Sequence, residues 1–484
     1  MTPPNVLLVV MDSVRAANTS LHGHEHETTP YLERLADEAT TYDAAYSPGT
    51  WSLPSHTSVF TGYHVMEHGI TRARHKLKPG HTIYEELSEG EGYETGVFSE
   101  NTWITDMDVG LRDAFDTVEG ARNLPFPDAV DPSNFVLSEG QGHYVQFLRY
   151  CLGRDDTVRS LANGVFTKVA WDYPRLLPSR FKSSTPARVY ADLFLDWQAE
   201  REGPWAACVN FMDGHLPYLP DAEYDRWGGK RLRSLQDSMD DQVWEFNGGR
   251  RPWWQRRALE GLYDGTIRQM DAQVERVVAT LRDRGALEDT LVVVTADHGE
   301  GFGEPSRIRP GARVAAHGAG IHEVLCHVPL VVRPPGGGAG ERVADPASLV
   351  EFPRVVRAAL AGEGATFVPD DPVVVSSHGL EEPMEERALR YTDDLHRFNG
   401  DARAVYLPDE DDDGVREKRL SWRDERCRVD VASAKASWRA ADTDDGVVDE
   451  RFADVRDRGV REEREGDADL DAATEERLKD LGYM

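Results

Sequence analysis

The stretch NVLLVVMDSVRA, residues 5–16, runs six apolar residues, Val6 to Met11, straight into an aspartate. A run this short, rich in β-branched side chains and closed by a polar residue, reads as a strand buried in a parallel sheet. Asp12 then stands at the carboxyl end of that strand, on the edge of an open α/β sheet where ligands gather. Working outward, further strands are expected at 93–99 (YETGVFS), 204–212 (PWAACVNFM), 290–296 (TLVVVTA), 328–333 (VPLVVR) and 372–377 (PVVVSS). Between them, residues 263–285 place Ile267, Met270, Val274, Val277, Val278 and Leu281 at helical spacing and stop at Gly285. Thr29 as N-cap and Pro30 as first residue open another helix, with Leu32, Leu35 and Ala39 on one face. Strands alternating with helices predict an α/β fold: a doubly wound, mainly parallel sheet flanked by helices.

At 484 residues, 40% of them hydrophobic, the chain can bury a large core. Its expected organisation is a catalytic domain over 1–377, with a mostly helical insertion at about 120–203, and a small acidic α+β subdomain over 378–484. That subdomain holds weak strand patterns around RAVYLP and CRVDVA, acidic loops, and a closing helix, ATEERLKDLGYM. The net charge of −31 sets 86 acidic against 55 basic residues, and only eight of the basic ones are lysine. Such a surface lacks the basic face that phosphate backbones require, which excludes nucleic acid as a partner. Acid excess with scarce lysine instead suits a halophilic protein, in which salt screens self-repulsion. The first residues lack a basic segment ahead of the apolar run and a small-residue cleavage site, so they read as a strand rather than a signal. No apolar run approaches the roughly 20 residues of a membrane span. Cys151, Cys208, Cys326 and Cys427 are scattered without a CxxC pair. A reducing, cytoplasmic setting is the simplest fit.

Four expected strand ends carry polar residues on one side of the sheet: Asp12, SENTW (99–103), MDGHLPYLP (212–220) and TADHGE (295–300). Any one of them alone is ordinarily a turn former or a helix cap. Their coincidence predicts a shared cleft. Asp12, Asp297 and His298 would supply two carboxylates and an imidazole to one divalent metal ion, Ca2+, Mg2+ or Mn2+. A hydroxyl at the open position would ionise more readily. Ser52, in TWSLPSH, is the candidate: Pro54 fixes the turn, a helix begins around Ser55, and a helix N-terminus favours an anion above it. The alternative is that Thr50, Ser52 and Ser55 only cap that helix.

Six segments, NVLLVVMDSVRA, TTPYLERLA, SLPSHTSVFTG, YDGTIRQMD, VVVTADHGEGFGE and HVPLVVRPPG, together resemble the sulfatase branch of the alkaline phosphatase superfamily, in the family's order and across residues 5 to about 336. The resemblance implies Asp12, Ser52, Asp297 and His298 as metal ligands, with Ser52 at the position of the nucleophile, a residue often converted to formylglycine. It implies that His215 contacts the substrate anion and assists the leaving group. His317 falls near a residue that faces the ester oxygens; His322 is either its neighbour at the substrate or a core or loop histidine. Arg15 either contacts the anion or pairs with a carboxylate, and Asn101 either binds substrate or shapes its turn. Two positions depart from the pattern. Ser13 replaces a second aspartate, which favours one metal ion over two. His56 replaces the arginine that the modifying machinery recognises, so an unmodified Ser52 hydroxyl is the alternative to formylglycine.

The expectation is therefore a metal-dependent hydrolase of sulfate esters acting on an anionic small molecule or glycan ester. The alternatives are a phosphoester hydrolase or phosphoglycerol-type transferase using unmodified Ser52, and a non-catalytic relative that binds an anion or glycan.

Overall fold

The computed structural model describes residues 3–120, 144–152, 157–172, 187–317, 320–409, 414–443 and 445–463, with residues 126, 129 and 132 besides. The expected C-terminal helix at 473–484 lies outside the described residues.

An eight-stranded sheet forms the centre. Its strands are β1 (Asn5–Met11), β2 (Thr40–Tyr42), β3 (Glu94–Phe98), β4 (Thr117–Glu119), β5 (Trp205–Phe211), β6 (Thr290–Thr295), β7 (Leu330–Arg333) and β8 (Glu341–Val343), in the spatial order β8-β2-β7-β6-β1-β5-β3-β4. β1 pairs in parallel with β5 on one side and β6 on the other, Leu8 opposite both Cys208 and Val293. Val6 to Met11 are at most 2% exposed, because helices cover both faces and each face needs apolar side chains. One strand departs from expectation: β7 runs antiparallel to both β6 and β2.

The helix read from residues 263–285 is α5 (Glu260–Asp283), following α1 (Pro30–Leu35), α2 (Ser52–Thr61), α3 (Thr102–Thr105) and α4 (Ala187–Ala199). Ile267, Met270, Val274, Val277, Val278 and Leu281 are fully buried. Each contributes about 1.5–3 kcal/mol through its burial. Within the insertion, the described residues also form helices at Tyr144–Leu152 and Thr157–Asp172. α4 packs back on the sheet, Phe194 edge-on to Phe98 and Trp205.

Residues expected to end the main sheet begin a second one instead. Val373–Ser377 (β9) pairs antiparallel with Ala402–Tyr406 (β10), followed by Arg416–Trp422 (β11), Glu425–Val431 (β12) and Ser437–Asp442 (β13). The unit expected from residue 378 therefore takes its first strand from before that boundary. A continuous apolar run such as PVVVSS is equally compatible with either sheet, and only the pairing partner decides.

At the start of α1 the sequence expectation also shifts. Thr29 holds the N-cap position, but its hydroxyl accepts from Leu21 N (3.1 Å). Asp271 of α5 caps the helix from outside, Oδ2 accepting from Tyr31 N (2.8 Å) and Oδ1 from Leu32 N (3.0 Å). Asp271→Ala leaves two buried amides unmatched and is expected to lower the unfolding free energy by about 1–2 kcal/mol in urea titrations. An unchanged midpoint would refute the cap.

Candidate active site

β1, β3, β5 and β6 are mutually parallel, so their following residues emerge on one edge. That edge collects Asp12, Asn101, His215, Asp297 and His298. Asp12, Asp297 and His298 are buried, and one donor atom from each lies within 4.8 Å of the other two. Ser52 Oγ is 3.4 Å from His298 Nε2.

The turns that deliver these residues are tightly constrained. Ser13 adopts φ = 61°, a left-handed conformation costly for a residue with a Cβ. In return its amide donates to Asp297 Oδ1 (3.1 Å) and its hydroxyl to Asp12 Oδ1 (2.9 Å), tying the two carboxylates together. Tyr263 of α5 fixes the turn, donating to Ser13 O (2.7 Å) and accepting from Arg15 N (3.0 Å). A side chain on Gly299 would meet Val324 O at 2.0 Å, and one on Gly214 would meet Asp12 O at 2.4 Å. Only glycine allows the strand ends to approach this closely.

Helix α2 begins at Ser52, three residues earlier than the sequence suggested. Pro54 is tolerated because amides of the first turn have no intrahelical acceptor. The capping alternative does not describe these hydroxyls. Trp51 is the N-cap residue, Thr50 Oγ1 donates to Ser377 Oγ (3.1 Å), and Ser55 Oγ pairs with Ser47 Oγ (3.0 Å). Trp51 packs edge-on against Trp103 at 5.3 Å, joining the start of α2 to α3.

The electrostatics call for a cation. Burial, then the charge of Asp297, raises the pKa of Asp12 above the ordinary carboxylate range. Burial also opposes ionisation of Asp297, yet the His298 and His56 imidazoles and the Ser13 amide hold it below that range. Asp297 Oδ2 is buried without a hydrogen-bond partner. Two buried carboxylates, one with an unmatched oxygen, beside an imidazole and a hydroxyl fit a divalent metal ion. Asp12 Oδ2 is steadied by Asn101 Nδ2 (3.0 Å) and Asn210 Nδ2 (3.4 Å), second contacts of the kind that orient ligands.

Four histidines around this centre share one pattern. His298 Nδ1 meets Gly299 O at 2.9 Å, His56 Nδ1 meets Ser52 O at 3.0 Å, His215 Nδ1 meets Leu216 O at 3.1 Å, and His317 Nδ1 meets Glu300 Oε2 at 2.8 Å. A carbonyl or carboxylate accepts, so each Nδ1 carries its proton and Nε2 is left as the other ring nitrogen; His298 Nε2 faces Ser52 and Asp297, whereas His56 approaches Asp297 Oδ2 with Nδ1, at 3.6 Å. The His317 ring lies 4.4 Å from that of His298 and 5.0 Å from that of His215.

Two expected substrate contacts are placed elsewhere. The Arg15 guanidinium is taken up by Glu260, Glu304, Asn18 and the Glu300 carbonyl, the carboxylate-pairing alternative. His322 caps the short helix Glu323–Cys326, with Nδ1 accepting from Val324 N at 3.3 Å, the reverse of the other four histidines. Asn101 follows its turn-shaping alternative, Oδ1 accepting from Trp103 N (3.1 Å), while its Nδ2 is engaged by Asp12. Sequence reasoning missed Ser13 and Asn210 as orienting residues, and Glu300 with Arg256 and Tyr218. Asn210 had a signal: it is the polar residue inside an otherwise apolar buried strand.

A metal-ready carboxylate and imidazole centre on the edge of this sheet, facing a hydroxyl at a helix start, is the arrangement of an alkaline phosphatase superfamily hydrolase. The family model described as Sulfatase matches residues 4–360, and the chain belongs to the sulfatase family. The family's reaction, hydrolysis of sulfate esters, is the activity that this membership assigns to the chain. An arylsulfatase from Clostridium perfringens is 23% identical over 420 residues, 81% of each chain. A steryl-sulfatase from Mus musculus is 24% identical over 424 residues, 77% of this chain and 64% of that protein. The solved phosphonate monoester hydrolase of Agrobacterium radiobacter superposes with a TM-score of 0.58 at 18% identity, over 99% of this chain and 96% of the other, and shares the fold.

Behind His317, Glu300 is fully buried against Arg256, which is also fully buried, and Tyr218 Oη donates to Glu300 Oε1 (3.0 Å). Burial works against its charge, but the His317 hydrogen bond and Arg256 prevail and hold its pKa to about 2, from 4.5. A depressed carboxyl pKa contributes stability that is present above the unfolded value and is lost as pH falls through the folded one. Glu300→Gln, which strands the Arg256 charge, is expected to cost about 3–5 kcal/mol at pH 7. That difference shrinks as pH drops from 4.5 towards about 2. Denaturant unfolding of both proteins at pH 7 and pH 3 measures it, and an equal deficit at the two pH values would contradict the assignment.

Proposed function

We propose that the protein is a sulfate-ester hydrolase dependent on one divalent cation, acting on an anionic small-molecule or glycan ester through Ser52. The observation that carries this reading is the convergence of Asp12, Asp297 and His298 donor atoms within 4.8 Å, with Ser52 Oγ 3.4 Å from His298 Nε2. Asp12, Asp297 and His298, next to Ser52, would hold a Ca2+, Mg2+ or Mn2+ ion, whose positive charge would favour ionisation of the hydroxyl and offset charge on the ester.

Ser52, ionised, attacks sulfur in line with the departing alcohol, and the S–O bond to that alcohol breaks. His215, as imidazolium, gives its Nε2 proton to the leaving alkoxide. Water then attacks the sulfated Ser52, and neutral His215 takes the proton, which regenerates both groups. His317, held by Glu300, and His56, held by the Ser52 carbonyl, would donate to the non-bridging oxygens through Nε2 when both ring nitrogens carry a proton. Where Ser52 is converted to formylglycine, the hydrated aldehyde hydroxyl takes the attacking role. Peptide mass across residue 52 distinguishes the two forms.

Turnover of an aryl sulfate is expected to fall about 10³-fold or more in Ser52→Ala, to vanish on chelation, and to return with added divalent cation. Undiminished turnover in Ser52→Ala overturns the nucleophile. Higher kcat/KM on the matching phosphate or phosphonate monoester moves the assignment to the phosphoester reading.

The acidic surface is part of the same proposal: a net charge of −31 suits a halophilic setting. Thermal midpoints are expected to rise between about 0.1 and 1 M KCl, as the screening length shrinks from about 10 Å to 3 Å. A fall over that range would reject the idea.

A further inference from the structure

A second group of donor atoms lies outside the catalytic centre. The loop between β1 and α1 carries HEHE at residues 24–27, and both of its imidazoles converge on one carboxylate of α5. His24 Nε2 is 3.0 Å, and His26 Nδ1 2.6 Å, from the same atom, Asp264 Oδ2. All three donor atoms lie within 4.8 Å of one another. The Asp264 side chain is 1% exposed and that of His26 32%, so the cluster is buried on one side and reachable from the other.

The surroundings are built around this group. Asn18 Nδ2 donates to the other oxygen, Asp264 Oδ1, at 2.6 Å and fixes the carboxylate plane. Asn18 is itself held by Arg15 Nε. The His26 ring stacks on Trp227 at 4.6 Å, with planes 13° apart, and the His24 and His26 rings stand edge to face at 5.1 Å. Rotation of both rings is therefore restricted before any ligand arrives.

We infer that His24, His26 and Asp264 form a second, structural metal site selective for a borderline transition ion such as Zn2+. Two imidazoles among three donors disfavour Ca2+ and Mg2+, which take oxygen, and suit zinc. Zinc bonds of about 2.0–2.1 Å in a tetrahedral arrangement separate ligand atoms by roughly 3.3 Å. The present spacings open to that value by small movements of a loop and two ring torsions. The fourth position remains for water. Asp264 follows Tyr263, which grips the Ser13 turn, so an ion here braces α5 and the loop behind the catalytic aspartate without touching substrate.

One neighbour opposes the ion. Lys435 Nζ lies 2.8 Å from His24 Nδ1, reaching in from the turn between β12 and β13. When His24 binds a metal through Nε2, its proton resides on Nδ1, and an ammonium can no longer donate there. Zinc and the Lys435 contact therefore exclude each other, and removing the lysine charge should strengthen binding.

The test is zinc titration by calorimetry, with bound metal counted after dialysis, on the full chain carrying Asp297→Asn and His298→Ala to disable the catalytic centre. One zinc ion per chain is expected to remain. His26→Ala, at a partly exposed position, should abolish it. Asn18→Ala should weaken it by about 10–100-fold. Lys435→Met should tighten it by about tenfold. Absence of zinc in the catalytically disabled chain, or binding indifferent to His26→Ala, overturns the site. If Lys435→Met weakens binding, the proposed competition is wrong and with it the ligand role of His24 Nε2.

Discussion

Two carboxylates buried on neighbouring strand ends repel each other, and the architecture around them is arranged to hold them together. Asp12 and Asp297 follow β1 and β6, which are adjacent and parallel, so the pleated sheet alone brings them close. Their shared clamp is Ser13, whose amide and hydroxyl each take one carboxylate. The unfavourable backbone angle of Ser13, at about 1–3 kcal/mol, persists because the Tyr263 hydroxyl and two short-range carboxylate bonds determine it together. Where relatives of the family place a second aspartate, the short hydroxyl serves a different purpose: it donates to a carboxylate and adds no charge. A third carboxylate here would sharpen the repulsion between the buried acids.

Much of this was readable in the chain because sheet position and chemistry coincide. A β-branched run ending in an acid, repeated at several strand ends, locates the ligand edge of a parallel sheet from periodicity alone. The course of β7 was not readable, since an apolar run such as VPLVVR carries no mark of direction. The placement of β9 was hidden for the same reason. Asp271 as a cap was invisible to local reasoning, because it lies about 240 residues from the amides it serves and Thr29 presents a plausible local cap. Arg15 illustrates the converse. Its spacing from Asp12 suited an anion contact, but Glu260 and Glu304, which consume its charge, come from segments whose proximity only the fold reveals.

The second sheet is more than an appendage. Tyr406 of β10 stacks on Tyr46 at 3.7 Å, and Lys418 of β11 forms a buried ion pair with Glu323 at 2.7 Å. Glu323 begins the helix that His322 caps, and the next residue, Val324, places its carbonyl against Gly299 beside His298. Burial would drive Glu323 towards its neutral form, and Lys418 keeps its carboxyl below the usual range. The C-terminal sheet thus supports the loop that closes over His298. His322 belongs to this supporting layer, which explains why its ring accepts a backbone amide where the catalytic-edge histidines donate.

That difference in proton placement is what gives the four histidines of the edge a common capacity. An imidazole whose Nδ1 proton is fixed on an acceptor has a single open nitrogen, and the acceptor sets the orientation of the ring. His298 and His215 are anchored on neutral carbonyls, His56 Nδ1 lies 3.6 Å from Asp297 Oδ2 besides its carbonyl, and His317 has the Glu300 carboxylate, which also carries Arg256 and Tyr218. Arg256 and Tyr218 fix the Glu300 carboxylate in place, and through it the His317 ring. The His317 ring stands 5.0 Å between centres from that of His215, anchored on the Leu216 carbonyl, so the edge presents two imidazoles side by side with different anchors.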